Sequence, residues 1–401
     1  MKYALIGCGR ISPNHIAAAI KNNLEIVAVC DIIPGNMENV LGKFQIDSSS
    51  IKRYTNYIEM LEQEKPQLVA IATESGKHAE IALECLDRDA NLIIEKPIAL
   101  SLVDADKIIK KSEKKGLVVC ASHQNRFNKS IQKIRQALEN GDFGKLMHGT
   151  AHIRWNRGKD YYTQAPWRGT WEQDGGALMN QCIHNIDLLR WMMGDEVVEV
   201  CAYTDNLNHD YIQAEDLGMA IVKFKNGSYG IIEGTTNIYP KNLEETLYIF
   251  GQKGTVKAGG KSVNIIEEWN FENSNENPEE VKEKYSEMPE NIYGFGHNPL
   301  YADVINAIKN GTKPLVDAEA GKRALEMVLA IYKSAKEGRP VKLPLTKCSS
   351  MEFFGRFDLD KKNSFMWENS PIFRLNKAYR KLENINRKFK GKKIIKDKAN
   401  K

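Results

Sequence analysis

The chain has no paired-cysteine motif and no spaced set of metal ligands. Its seven cysteines (Cys8, Cys30, Cys85, Cys120, Cys182, Cys201 and Cys348) are scattered without a C-x-x-C pair, mostly in apolar runs. That argues against a disulfide framework and for reduced core thiols. The eight histidines show no H-E-x-x-H or similar spacing, so no metal is expected. No apolar run approaches the length of a membrane span, and Lys2 leads into a short strand-like run, not a signal-peptide core. A cytoplasmic protein is expected. The net charge of +5 is misleading, because residues 374–401 alone carry twelve Lys/Arg against two Asp/Glu and leave 1–373 at about −5. That tail is partly helix-patterned but poor in interleaved aromatics, so it reads as a solvated terminus and nucleic acid is not an expected partner.

The 401 residues are 42% hydrophobic, enough for two sizeable cores. Along 1–122, strand-like runs (2–7, 24–31, 68–73, 91–96, 117–122) alternate with helical patterns, the grammar of a parallel sheet covered by helices. From 123 to 345 the grammar changes. A helix near 128–140 precedes strand-like 145–156, a further helix, and runs near 197–205, 216–224, 228–236, 245–250, 254–258 and 263–269, with Asn226-Gly227 as a hairpin turn. The expected fold is therefore an α/β Rossmann domain, 1–122, plus an α+β domain, 123–345, with a large and mostly antiparallel sheet. Residues 346–401 would be a C-terminal extension. One face of the large sheet is expected to seat a partner subunit, giving a homo-oligomer. The acidic, Pro-punctuated stretch 272–291 reads as an exposed loop.

The first run ends in Gly7-Cys8-Gly9-Arg10-Ile11-Ser12, a G-x-G-x-x-S pattern, and the second in Asp31, 24 residues after Gly7. Gly7 permits the tight turn, Gly9 lets a pyrophosphate reach backbone N–H groups, and the helix from Pro13 offers its positive end. Asp31 is placed to bond a ribose hydroxyl and to repel a 2′-phosphate, so NAD is expected rather than NADP. Glu95-Lys96-Pro97 ends another strand-like run. Downstream, Gly175–Asp187 (GGALMNQCIHNID) sets Asn180, His184 and Asp187 at helical spacing behind a glycine pair. Asp187 could then orient the His184 imidazole. A lysine from one domain and a histidine from another suit proton handling beside a cofactor. A plain helix start with a satisfied core histidine is the alternative.

These motifs resemble the Gfo/Idh/MocA oxidoreductase family over about 1–345, in Gly7–Ser12, Glu95–Pro97 and Gly175–Asp187. The resemblance implies that Lys96 and His184 sit at the nicotinamide. It also implies that Thr73, Ser75, His78, Glu95, Gln124, Trp167 and Arg168 frame the cofactor with Gly7, Gly9, Arg10, Ile11, Ser12 and Asp31. Two departures stand out. Asn180 occupies a position often held by aspartate, and Thr73-Glu74-Ser75-Gly76 lacks the proline usual after that threonine.

A narrower resemblance, to UDP-N-acetylglucosaminuronate 3-dehydrogenases, lies in His152–Trp171, Ser122–Phe127 and Thr235–Glu245. It implies oxidation of a sugar 3-hydroxyl to a ketone. Arg154, Arg157 and Arg168 could supply forks for pyrophosphate or carboxylate, and Trp155, Tyr161, Tyr162 and Trp167 faces for a sugar or base. Strand alternation puts His152 and Arg154 on one face and Trp155 on the other. The substrate set is then Arg154, Arg157, Tyr161, Asn180 and His184. His184 would be the general base, with Lys96 donating to the developing alkoxide and Asn180 positioning them. The roles reverse if Lys96, without its usual carboxylate, has a depressed pKa. Open alternatives are a dehydrogenase of neutral UDP-N-acetylglucosamine or another sugar, NAD-assisted glycoside cleavage, and a non-catalytic NAD-binding protein.

Overall fold

The computed structural model describes residues 1–44, 48–194, 196–272, 276–289 and 293–357. The basic tail, 374–401, lies outside the described residues.

Six short strands build the first sheet: β1 (Lys2–Ile6), β2 (Glu25–Cys30), β3 (Lys52–Tyr54), β4 (Leu68–Ile71), β5 (Asn91–Ile94) and β6 (Val119–Ala121). They pair in the order β3-β2-β1-β4-β5-β6, all parallel. The strand order reverses beside β1, where open α/β sheets bind ligands beyond their carboxyl ends. Four of these strands are close to wholly apolar and buried, as expected of a sheet covered on both faces. Sequence patterning had located every strand but β3.

The second sheet contains β7 (Leu146–Arg154), β8 (Val197–Asp205), β9 (Leu217–Phe224), β10 (Tyr229–Thr235), β11 (Glu244–Gly251), β12 (Gly254–Gly259), β13 (Ile265–Phe271) and the short β14 (Val341–Lys342). Its order is β13-β12-β11-β7-β10-β9-β8-β14, antiparallel except for β7 with β10. On β7, Ala151 and Ile153 are buried, whereas His148, Thr150, His152 and Arg154 point to the opposite face. That opposite face exposes Tyr203, Met219, Ile221, Tyr229 and Ile231.

One local expectation changes. Within the acidic stretch expected to be a loop, Pro278–Tyr285 is helical. Asn277 caps it by accepting from the Glu279 N–H, Pro278 opens it, Glu279 and Glu280 lie at its positive end, and Val281 is buried. Past residue 345, the described part of the extension docks on the body, with Cys348 and Phe353 buried and Phe353 packed on Trp171 and Tyr332. All seven cysteines are free thiols. Among the described residues no helix is long and apolar enough to cross a membrane.

Candidate active site

The glycine loop follows β1. Gly7 has φ +92°, and a Cβ there would lie 2.5 Å from the Ala72 carbonyl, so only glycine fits the close pass of the two strand ends. Gly9 and Arg10 are exposed, and nothing would meet a Cβ on Gly9. Ser12 is buried and bonds back to Gly9 O (2.6 Å), fixing the start of the helix Ser12–Lys21; Ile11 is half-buried. Asp31 is half-buried at the end of β2. It accepts from the Cys8 N–H (2.8 Å), the Ile33 N–H (2.8 Å) and Asn36 Nδ2 (3.1 Å). A carboxylate so held is pre-aimed beside an open glycine turn, which fits a dinucleotide ribose and pyrophosphate.

The other cofactor candidates divide. Thr73 and Trp167 are half-buried, and Ser75 begins a short helical turn. Gln124 is buried with Oε1 unpartnered. His78 is a brace: its ring nitrogens lie 2.7 Å from Pro97 O and 3.1 Å from Thr73 O, and the ring is buried. Glu95 faces inward as well. It pairs with His15 Nε2 (3.0 Å), lies 3.7 Å from His297 Nε2, and accepts from the Lys96 N–H. His15 is in turn bonded to Tyr301 (2.7 Å), and Tyr301 to Tyr3 (2.9 Å). The two histidines hold the Glu95 carboxyl well below its usual range despite its burial.

Lys96 leaves this strand end toward the second domain. Its Nζ donates to Asn180 O (2.8 Å) and lies 3.4 Å from Asn180 Oδ1. The geometry depends on a wide π-helical turn, Leu178–Cys182, running into the α-helix Ile183–Met192. Wide turns of this kind recur at functional sites. Glu215 holds the turn's start: Oε1 accepts from the Leu178 N–H (2.7 Å) and lies 2.8 Å from the Tyr332 hydroxyl. Gly176, at φ +99°, is required there, because a Cβ would come within 1.9 Å of Glu215 Oε2. Gly176 thus admits a carboxylate from β9's leading residues, and Gly175, at φ +85°, packs against Met179 and Leu100.

Two residues that sequence reasoning missed complete this corner. Asp174, fully buried, accepts from Asn180 Nδ2 and from the Gly169 N–H (2.7 Å). The carboxylate absent at position 180 is therefore present one side chain further out. Its position directly before Gly175-Gly176 was the available signal. Burial lowers the Lys96 pKa, while Glu95 and Asp174 pull it up and Arg168 pulls it down again. Gln181, the second residue, donates to the Tyr161 hydroxyl (2.9 Å).

His184 is half-buried and its Nδ1 is sealed in without a hydrogen-bond partner. The expected Asp187–His184 pair is not formed. Asp187 accepts from Arg126 through both oxygens (2.7 Å each) and from Arg190 (3.1 Å). A bidentate charge-assisted pair outcompetes a neutral imidazole for the same lone pairs. His123 instead packs edge-to-face on His184, with ring centroids 5.6 Å apart at 83°. Burial, then Lys96 and His123, keep the His184 pKa well below its ordinary value.

The arginines separate cleanly. Arg154 lies on the open face of the large sheet, ion-paired with Glu233 and Glu244 from the flanking strands. It is not brought to the cluster, because β-alternation turns it away and two carboxylates already neutralise it. Trp155 is buried on the other side, as alternation predicts. Arg157 stacks on Trp155 (4.6 Å) and over Tyr161 (5.2 Å) and donates to Asn156 O and Asn242 Oδ1. Among the described residues no carboxylate makes an ion pair with it, and the buried Glu245 carboxyl is near enough to feel its charge. Arg168 lies over Tyr161 and Trp167 and donates to the Tyr161 hydroxyl. Lys96, Asn180, Gln181, Tyr161, Arg157 and Arg168 therefore form one connected group next to His184.

A Rossmann sheet with an open glycine turn, facing a lysine–asparagine–histidine cluster lined by arginines and aromatics, defines an NAD-dependent dehydrogenase. Family models agree: residues 1–123 match the oxidoreductase family NAD-binding Rossmann fold, and 135–343 match its C-terminal alpha/beta domain. The chain belongs to the Gfo/Idh/MocA oxidoreductase family and is an NAD-dependent sugar dehydrogenase. It is 36% identical to the WlbA dehydrogenase of Bordetella pertussis, solved with NADH and UDP-GlcNAcA, with TM-score 0.79 over 86% of this chain and 98% of that one. The Chromobacterium violaceum WlbA structure, also with NADH and UDP-GlcNAcA, is 36% identical with TM-score 0.77, covering 86% and 96%. The myo-inositol 2-dehydrogenase of Thermotoga maritima is 27% identical over 352 residues, covering 86% and 98%.

Proposed function

We propose that this protein oxidises the 3-hydroxyl of UDP-N-acetylglucosaminuronate to the 3-keto sugar. The observation that carries the reading is Arg157, a half-buried guanidinium that makes no ion pair with a carboxylate among the described residues, framed by Trp155 and Tyr161. A partly desolvated cation gains when an anion arrives to pair with it. Arg154, three residues earlier, shows the contrast of a fork already satisfied by protein carboxylates. The ligands of the two WlbA structures support the same substrate. Trp155 and Tyr161 suit a sugar or base face, and Arg168 suits the cofactor side.

NAD, when bound, accepts the hydride. Lys96 takes the hydroxyl proton: its two donated bonds to Asn180 leave the amine's lone pair for the substrate, and burial lowers its pKa toward the working range. Asn180 aims the amine, and Asp174 holds Asn180. His184 stays neutral and orients the reacting oxygen, because its sealed Nδ1 would leave an imidazolium N–H unpaired. The reversed assignment of His184 and Lys96 is thereby favoured over His184 as base.

The exposed apolar face of the large sheet, with Tyr203, Met219, Ile221, Tyr229 and Ile231, supports a homo-oligomer formed through that face. Sedimentation of the full-length protein tests it. The seven unpaired thiols support a cytosolic setting. A panel of UDP-sugars assayed with NAD, with and without 2-oxoglutarate, tests the activity. Release of a 3-keto product from the uronate, identified by NMR, is the expected result.

A further inference from the structure

His123 stands where the sequence pattern led one to expect Asp187. Its Nδ1 is 3.8 Å from Asp187 Oδ2 on one side, and its ring meets His184 edge-to-face on the other. His123 thus touches both neighbours, and it and Asp187 are 1% exposed or less. Neither ring nitrogen of His123 makes a hydrogen bond of good geometry, so the ring is not a proton relay. Asp187 Oδ1 is taken by Arg126 and Arg190, and Oδ2 by Arg126 Nε. The remaining lone pair of Oδ2 faces the imidazole of His123. His184 and Asp187 lie three residues apart on one helix, so removing that ring takes away the side chain that contacts both.

We propose that His123 is a positioning residue that walls off the inner side of His184 from direct contact with the Asp187 carboxylate and from interior water, holding it as a neutral, fixed hydrogen-bonding group at the reacting centre. The charged groups around the pair are accounted for. Lys96, Glu95 and Asp187 face His184, and Arg126, Arg190, Asp187 and Lys96 face His123. Asp187 favours a His123 imidazolium while Arg126, Arg190 and Lys96 oppose it, and burial is the largest influence against it. Burial acts the same way on both rings. An imidazole is large enough that its loss leaves room for water, which would relieve the burial of His184.

This proposal rests on the assignment of His184 to the reacting centre, but its test needs no turnover. The full-length protein and its His123→Ala and His123→Phe variants are labelled, and the His184 ring is followed by NMR from pH 5 to 9. The parent His184 is expected to show no titration. In His123→Ala a titration should enter the range, raised by at least one pH unit over the parent limit, with turnover falling as His184 gains charge and freedom. His123→Phe keeps an aromatic wall and should restore the silent His184 signal. A parent His184 that titrates in this range overturns the proposal, as does an Ala variant as silent as the parent. If the Ala variant does not fold, a titrating His184 in His123→Phe does the same, since the wall would then not be what matters. Failure of the UDP-sugar assay would leave these spectra unchanged, so the two readings fail separately.

Discussion

Lys96 and Asn180 meet twice, through the Asn180 carbonyl at 2.8 Å and its amide oxygen at 3.4 Å, across 84 residues of chain. Both contacts are acceptors for the amine and neither carries a charge, so burial dominates and the lysine pKa falls. If Lys96 is the base, kcat/KM should rise with pH through that lowered pKa. Asn180→Asp would set a carboxylate against Nζ and favour the charged amine. The rising limb should then move to higher pH by about one unit or more, the usual effect of an adjacent opposite charge. Rate profiles between pH 6 and 10 check this, and an unmoved limb would assign the proton to another group.

Loss of either reacting side chain should be severe and not cumulative. Lys96→Ala and His184→Ala should each lower turnover by about 10²–10⁴, the usual worth of acid–base groups. The double variant should be little worse than the weaker single one, because the two act as a unit. Circular dichroism guards against misfolding. A His184→Ala enzyme with near-normal turnover would make this histidine structural.

Much of this machinery was legible because its grammar is local. The glycine turn, Asp31, Glu95–Pro97 and the Gly175–Asp187 helix each sit within a dozen residues, and the strand alternation that carries them follows from apolar patterning. What escaped was set by distant partners. Asp187 is taken by Arg126 from 61 residues upstream, and Arg154 by Glu233 and Glu244 from strands 79 and 90 residues on. Asp174 and His123 gain their roles only when the π-helical turn and the end of β6 converge on Lys96 and His184. The helix at Pro278–Tyr285 was a different miss: its cap, proline and charge order were all present, but the acidic composition was weighed more heavily.

Cofactor choice follows from Asp31. Its carboxylate should bond the adenosine ribose and repel a 2′-phosphate, so NAD should bind far better than NADP. Asp31→Ala should weaken NAD and narrow the preference by about 1–3 kcal/mol, the loss expected for a hydrogen bond to a charged group. Because Asp31 also ties Cys8, Ile33 and Asn36, Asp31→Asn is the milder control for the loop itself. Equal affinities for the two nucleotides in the parent protein, measured by calorimetry, would end this reading.

Mild acid should destabilise the fold through its buried histidines, although two buried carboxyls, Glu215 and Glu245, pushed up to about 8 by burial, act the other way. Burial lowers His123 to about 4, and His78, His184 and His297 move the same way. Unfolded, these rings take up protons as pH falls through about 6.5; folded, they resist until lower pH. At these four rings the unfolded state binds more protons, so the stability they contribute above pH 6.5 is lost as pH drops toward 4, and four rings outnumber the two carboxyls that gain. Urea unfolding at pH 7 and pH 5 should differ by about 1–3 kcal/mol or more. Equal midpoints and slopes would mean that these rings protonate in place.

The substrate prediction turns on Arg157. A site that holds a half-buried guanidinium for a 6-carboxylate leaves that cation unpaired when offered the neutral hydroxymethyl sugar, at a cost of about 1–3 kcal/mol. UDP-N-acetylglucosaminuronate should therefore be oxidised at least about tenfold more efficiently than UDP-N-acetylglucosamine, each 1.4 kcal/mol being one decade. Arg157→Gln should bring the two efficiencies together, mainly by raising KM for the uronate, since the contact exists in both ground and transition states. Arg157→Lys should recover only part, because an ammonium cannot reproduce the planar fork or its stacking on Trp155. Arg154→Gln should leave the ratio unchanged and act instead on stability or assembly, its partners being Glu233 and Glu244. Equal parental efficiencies would favour the neutral sugar while leaving the dehydrogenase chemistry standing. A ratio that collapses in Arg154→Gln but not in Arg157→Gln would move the anion site to the open face of the sheet, and the assignment built on burial would be wrong.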